Sequence, residues 1–347
     1  MTCLASATDQ DPRLYDRAVL TEDVTWSGSV LVKGYVVVAP QATLRIDPGT
    51  VVHFVGTSPR QLPTLIIQGR IHAAGTPELP IIFASEKPSS LRGSWGGIVF
   101  LSTEKRNLLE RCRIESPETG VDVRFSTVTL KSVSIVKAQT ALLSHDGVVQ
   151  MTGSTLADSE TGLDLNNSEF EGKETVLSSC VRGCVASKSA LVFSSVSITN
   201  SQQVGFEADD CRLKITGGEL SGNGVGARIK GGEGQIFMSR FQKNRQTALQ
   251  LSGTRIKVQR CLFAENIGEA VRTEDGGALL LNNAFSANGG FNLYNAGREA
   301  VTARQNWWGT ADQLLVGTKI FDAAADSRSG VVHVFPWLDA KPQLMPN

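Results

Sequence analysis

Small residues recur through the middle of this chain at a nearly constant interval. Gly120, Ala141, Gly162, Gly183, Gly205, Gly226, Ala248, Ala270 and Gly290 are separated by 21, 21, 21, 22, 21, 22, 22 and 20 residues. A short, steady period with strand-like patterning means that each repeat is one coil of a parallel β solenoid, and no coil buries its apolar side without its neighbours. Helical solenoids need units of roughly 33 residues or more and sustained 3.6-residue periodicity. No window here sustains that, whereas Val, Ile, Thr and Ser in the repeats, with glycine at turns, favour strand.

Behind each small residue the pattern is apolar, any, apolar: Val121 and Val123, Leu163 and Leu165, Cys184 and Ala186, Phe206 and Ala208, Ala227 and Ile229, Leu249 and Leu251, Phe291 and Leu293. Period-two alternation describes a strand with one buried face. Leu142 with Ser144 and Val271 with Thr273 soften the second position only. A second short strand is expected earlier in each coil, in triplets such as Leu109-Cys112-Ile114, Ile236-Ser239-Phe241 and Leu280-Asn283-Phe285. Three residues beyond several triplets stand Asn223, Asn244, Asn266 and Asn288. Asparagine tolerates left-handed backbone, and its amide can bond to its counterpart one coil away, so these positions predict a structural ladder.

In a solenoid, length sets coil number rather than domain count. The 347 residues therefore read as one continuous body. Residues 1–23 form a tail and lead-in, 24–105 irregular opening coils, 106–300 regular coils, and 301–347 a C-terminal cap and tail. The segment Ser85 to Ser94, rich in Ser, Lys and Pro, is expected to leave the stack. At the far end Trp307, Trp308 and Trp337 suit a cap over the last apolar layer, with an aromatic sugar platform as the alternative.

The 34 basic and 34 acidic residues balance, and no basic stretch is interleaved with aromatics, which gives no support to nucleic acid binding. No apolar run reaches the roughly 18 to 20 residues that span a bilayer. Cys3 is a candidate acylation site of a lipoprotein, against a plain flexible tail. Cys112 and Cys261 share one register position about seven coils apart, roughly 30 Å or more, which excludes a disulfide between them. Cys184 reads as a buried free thiol. There is no Cys-x-x-Cys, and His53, His72, His145 and His333 are scattered, so no metal site is expected.

The segments Ala42 to Phe54 (ATLRIDPGTVVHF), Trp95-Gly96-Gly97-Ile98, the regular coils, Asn306-Trp307-Trp308-Gly309 and Val334 to Leu338 (VFPWL) resemble bacterial right-handed parallel β-helix repeat proteins of the pectin lyase-like superfamily. The resemblance extends from about residue 24 to 338. It implies a right-handed parallel β-helix, an all-β fold, and a location outside the cytoplasm in the periplasm, at the cell surface or secreted, with any signal peptide absent from this sequence. It implies no particular activity, because the superfamily holds lyases, hydrolases, epimerases, adhesins and surface proteins.

In enzymes of that superfamily the outward residues of one parallel sheet bind the sugar chain. The equivalent positions here run from Asp122 and Arg124, through Leu143 and His145, to Asn292 and Tyr294. The candidate glycan or Ca²⁺ face among them comprises Asp164, Asn166, Glu207, Asp209, Arg228, Lys230, Arg272 and Glu274. Glu207 with Arg228 and Asp209 with Lys230 stand one coil apart. Read blandly, these are surface ion pairs, each worth about 0 to 1 kcal/mol. A lyase reading would give Arg228 or Lys230 the role of base or clamp, with Asp164, Glu207 and Asp209 holding Ca²⁺. Arg228-Ile229-Lys230 echoes a polygalacturonase tripeptide, but the Asn-Thr-Asp and Gly-His-Gly segments of those enzymes are missing, so no catalytic residue is assigned.

The expected function is therefore an extracytoplasmic structural or interaction module with polysaccharide or other surface proteins as partners. A polysaccharide lyase, hydrolase or epimerase is the alternative, and no cofactor is expected beyond Ca²⁺ for a lyase.

Overall fold

The computed structural model describes residues 12–56, 61–86 and 91–343. The chain winds as stacked coils, each with three strands separated by corners. One regular coil consists of Thr119–Arg124, Thr127–Lys131 and Ser134–Val136. Repeated along the stack, these strands build three sheets, called here faces I, II and III in that order. Strands pair in parallel with their equivalents one coil away: Thr119–Arg124 with Thr140–His145 on face I, Thr127–Lys131 with Val148–Thr152 on face II, and Ser134–Val136 with Thr155–Ala157 on face III. Among the described residues face II runs through fourteen strands, from Val24–Trp26 to Val332–His333. Faces I and III join through the long strand Ser29–Val38, whose halves pair with Val51–Val55 and Thr64–Ile67. The parallel β solenoid expected from the repeat is what forms.

The core is a set of vertical columns. Val121, Leu142, Leu163, Cys184, Phe206, Ala227 and Leu249 occupy one column of face I, and all are buried. Phe241, Phe263, Phe285 and Trp308 form another, with successive ring centroids 4.9, 5.2 and 4.7 Å apart and nearly parallel planes. The repeated small residue has a steric cause: a Cβ on Gly226 would stand 2.3 Å from the Ala248 carbonyl oxygen one coil on.

Three sequence expectations are corrected by the corners. The second strand of each coil is in fact two, Asn107–Glu110 and Cys112–Glu115 in the first regular coil, because Arg111 (φ 47°) turns the chain inside the triplet. The asparagines of the ladder are not the left-handed residues; Gly222, Lys243, Glu265 and Ala287, one place earlier, carry the positive φ. The asparagine then points inward, where Asn244 Oδ1 accepts from Asn223 N (3.1 Å), and Asn244 Nδ2 donates to Asn266 Oδ1 (2.9 Å) and Leu220 O (3.1 Å). Finally, the ninth repeat slips. Leu293 pairs with Val271, so Asn292, not Gly290, is the equivalent of Ala270, and Asn295 rather than Phe291 joins Leu293 in facing inward. Asn292 is consequently buried instead of outward, and its amide donates to the Trp308 carbonyl (3.0 Å).

Other corners use the same device with smaller side chains. Ser154 Oγ accepts from Val133 N (3.0 Å), Ser168 Oγ from Gly147 N (3.2 Å) and Cys211 Sγ from Ser189 N (3.4 Å). Buried backbone donors need such partners. Four of the five described cysteines, Cys112, Cys180, Cys211 and Cys261, sit directly after corner residues, and all five are free and buried. Burial pushes the Cys112 and Cys261 thiols up to about 12. Cys3 lies outside the described residues.

At both ends the ladder reaches further than the repeat pattern indicates. Arg13–Leu20, placed by sequence in the lead-in, pairs with the Ser29–Val38 strand. Beyond residue 300, Val301–Thr302, Ile320–Phe321 and Val332–His333 still extend faces I and II. Trp308 is buried against Phe285 and Trp337 packs on the core, so these rings cover the last layer instead of standing free as a platform. The short helix Gln313–Thr318, capped by Asp312, adds buried Val316 to that cover. Of the segment expected to leave the stack, residues 87–90 lie outside the described residues, while Arg92 reaches along the stack to bond the Asp158 carbonyl (3.1 Å).

Candidate functional site

Face I presents two outward columns, because alternate residues of each strand point away from the core. One contains Asp122, Leu143, Asp164, Val185, Glu207, Arg228, Gln250, Arg272 and Tyr294; the other contains Arg124, His145, Asn166, Ser187, Asp209, Lys230, Ser252 and Glu274. The eight candidate residues therefore share one face, although they span several coils.

The C-terminal half of this face forms a shallow groove of about 370 Å³ lined by Arg228, Lys230, Gln250, Ser252, Arg272 and Glu274 together with Ile229 and Leu251. Arg228 pairs with Glu207 (3.0 Å) and donates through Nε to Gln250 Oε1 (2.9 Å), which fixes its guanidinium at the groove edge. That pair is solvent-exposed, with side chains 47% and 32% accessible, so its value is recognition geometry rather than stability. Asp209 and Lys230 are register partners, but no ion pair closes between them. Both are exposed. At the groove's far end Arg272 lies 4.5 Å over the Tyr294 ring, which stacks on Phe321 at 4.2 Å. Tyr294 and Phe321 thus form an aromatic stack one coil beyond Arg272.

The N-terminal half differs. Asp122, which alternation places on the outward side, is only 4% accessible, and Arg124 clamps it with Nε 3.1 Å from both carboxylate oxygens and Nη2 2.6 Å from one. This bidentate pairing raises the Arg124 pKa further above its usual value. Register places His145 beside Arg124, and Asp164 and Asn166 one coil beyond. Asn166 Nδ2 is committed to Ser187 Oγ (2.7 Å). Sequence reasoning did not select Asp122, Arg124 and His145 as candidates. The signal that could have found them is Asp-x-Arg on one strand, which sets an acid and a base on the same side at adjacent outward positions.

Asp164 and Glu207 lie two strand spacings apart on face I, about 9.6 Å at the backbone, with Val185 between them. Among the described residues no group of three or more His, Cys, Asp or Glu side chains is placed to hold a metal.

Comparison with known proteins matches residues 18–120 to the pectate-lyase-like beta helix domain and residues 173–307 to the right-handed beta helix region. The chain is a right-handed parallel β-helix protein. This β-helix superposes on a mutant of the periplasmic alginate epimerase AlgG with a TM-score of 0.51 and 11% identity, covering 95% of this chain and 79% of that one. It also matches the Azotobacter vinelandii mannuronan C-5 epimerase AlgE6 A-module (TM-score 0.35, 10% identity, 94% and 92% covered). A family PL6 polysaccharide lyase from Pseudopedobacter saltans gives a TM-score of 0.37 at 13% identity, with 92% of each chain covered. At these identities the likeness is one of fold. No curated protein matches the β-helix.

Proposed function

We propose that this β-helix is an extracytoplasmic interaction module that binds an acidic glycan along face I. The observation that carries the reading is the groove lined by Arg228 and Lys230 on one coil and Arg272 two coils further on, with the stacked Tyr294 and Phe321 rings on the coils that follow. Cations repeated along the stack suit carboxylates repeated along a uronate chain, and a guanidinium held by neighbours binds a carboxylate with little loss of side-chain freedom. Other surface proteins are the competing partners, and lipid attachment at Cys3 belongs to the same extracytoplasmic reading. Among the described residues no helix is long and apolar enough to cross a membrane.

Titration calorimetry with uronate oligomers, alginate first, tests the proposal. Binding is expected to weaken at least about tenfold in Arg228→Ala with Lys230→Ala, and to weaken in Tyr294→Ala. Binding unchanged by the double substitution would exclude this face.

A catalytic reading, lyase or epimerase, has one specific observation in its favour: the desolvated Asp122 that orients Arg124 beside His145. Arg124 would neutralise a uronate carboxylate, and His145 would exchange the neighbouring carbon-bound proton. Uronate polymers assayed with and without Ca²⁺ for unsaturated product and new reducing ends, and by NMR for inverted uronates, would then give signal that His145→Ala removes. Silence in all three readouts favours binding without chemistry.

A further inference from the structure

Face II carries charges that no side chain among the described residues pairs with. Three consecutive coils present, at the same two outward positions, Glu169 and Glu171, then Ala190 and Val192, then Arg212 and Lys214. The four charged residues are exposed, and Val192 is 39% accessible. Among the described residues none of the four side chains takes part in an ion pair or hydrogen bond. The small apolar row holds acids and bases about 9.6 Å apart at the backbone.

We infer that face II is a self-association surface, on which a second copy of this chain docks with its stack reversed about a two-fold axis along the Ala190–Ser194 strand. Such an axis keeps position along the strand and inverts coil order. Glu169 then faces Arg212 of the other copy, Glu171 faces Lys214, and each contact occurs twice, while Val192 meets Val192 at the centre. The next rows agree. Val148 and Gln150 lie over Glu233 and Gln235, and Thr127 and Thr129 over Arg255 and Lys257, with no like charges opposed. An axis along the stack would instead set Glu169 against Glu171 and Arg212 against Lys214. Moving the strand-wise axis by one coil in either direction opposes glutamates to glutamates or cations to cations. Charge complementarity therefore selects one register, and a second copy supplies it without any other partner.

Seven such rows of five-residue strands cover about 17 by about 34 Å, roughly 600 Å² of sheet per copy before side-chain relief, at the lower end of stable interfaces. The dimer is accordingly dependent on its ion pairs and weakened by salt. Face I stays open on both copies.

Sedimentation equilibrium of the full chain over a concentration series, at about 0.05 M and about 1 M salt, tests the inference. A monomer–dimer equilibrium weakened by salt is expected. Glu171→Lys should weaken it at least about tenfold by setting like charges face to face. The swap of Glu169→Lys, Glu171→Lys, Arg212→Glu and Lys214→Glu in one chain should restore it. Val192→Lys should abolish it. Circular dichroism checks that these outward substitutions leave the fold intact. A wild-type monomer throughout the series, or a dimer unaffected by Val192→Lys, overturns the inference. So does a monomer that binds a polyanion such as heparin through Arg212 and Lys214, because that row would then serve an anionic ligand.

Discussion

At the scale of single residues the corners carry much of the specificity. Asn244 satisfies Asn223 N and Leu220 O at once, and an unsatisfied buried polar group costs about 1 to 3 kcal/mol. Asn244→Ala is expected to lower stability by about 2 to 4 kcal/mol, read as a fall in the urea midpoint. Asn244→Ser should cost less, because serine fills the equivalent place as Ser159 and there accepts from Ala138 N. The thiols give a pH dependence whose sign is fixed by burial. Cys261 is held protonated in the native state, its pKa moved from 9.0 to about 12, so between those values the unfolded chain has lost a proton that the folded chain keeps. Stability is full below pH 9 and falls as pH rises through this window. Melting temperatures measured from pH 8 upward should show that fall, less steeply in Cys261→Ser. The ladder asparagines were legible in sequence from their spacing, but their left-handed neighbours were not: Lys243, Glu265 and Ala287 carry no local preference for positive φ and adopt it because the stacked corner requires it.

Elements in this molecule are stabilised by their equivalents rather than by their own propensity, since three-residue strands such as Thr155–Ala157 and Glu219–Ser221 have no independent existence. The aromatic column shows how tightly they are coupled. Phe263 lies between Phe241 and Phe285, so Phe263→Ala opens a hole with rings above and below and is expected to cost about 3 to 5 kcal/mol. Chemical denaturation checks this, and Phe263→Leu should recover a large part of the loss. The slip at the ninth repeat also belongs to this scale. Gly290 continued the pattern of small residues in sequence, yet Asn292, which donates to the Trp308 carbonyl and accepts from the Asn288 amide, takes the register position two residues later. A local pattern of small residues could not reveal that, because one deciding partner, Trp308, lies on the following coil.

Over the whole molecule, nearest-neighbour contacts between coils make the chain quasi-one-dimensional. Deletion of residues 142–162 joins Ala141 to Leu163, the register partner of Leu142, and keeps every column continuous. This shortened chain should retain its β circular dichroism and melt cooperatively, whereas removal of 142–151 alone should prevent folding by moving core side chains to the wrong face. The period of small residues by itself determined the class of fold, the inward columns and the sheet that holds the candidate residues, because a stacked coil can satisfy its apolar side only by repeating it. Which of those candidates meet was decided only by the tertiary structure. Arg228 closes on Glu207 while Asp209 and Lys230 do not pair, and Asp122 is covered although alternation places it outward. The reason is that alternation fixes the side of the sheet on which a residue lies, whereas rotamer, neighbouring coil and cover fix what it touches.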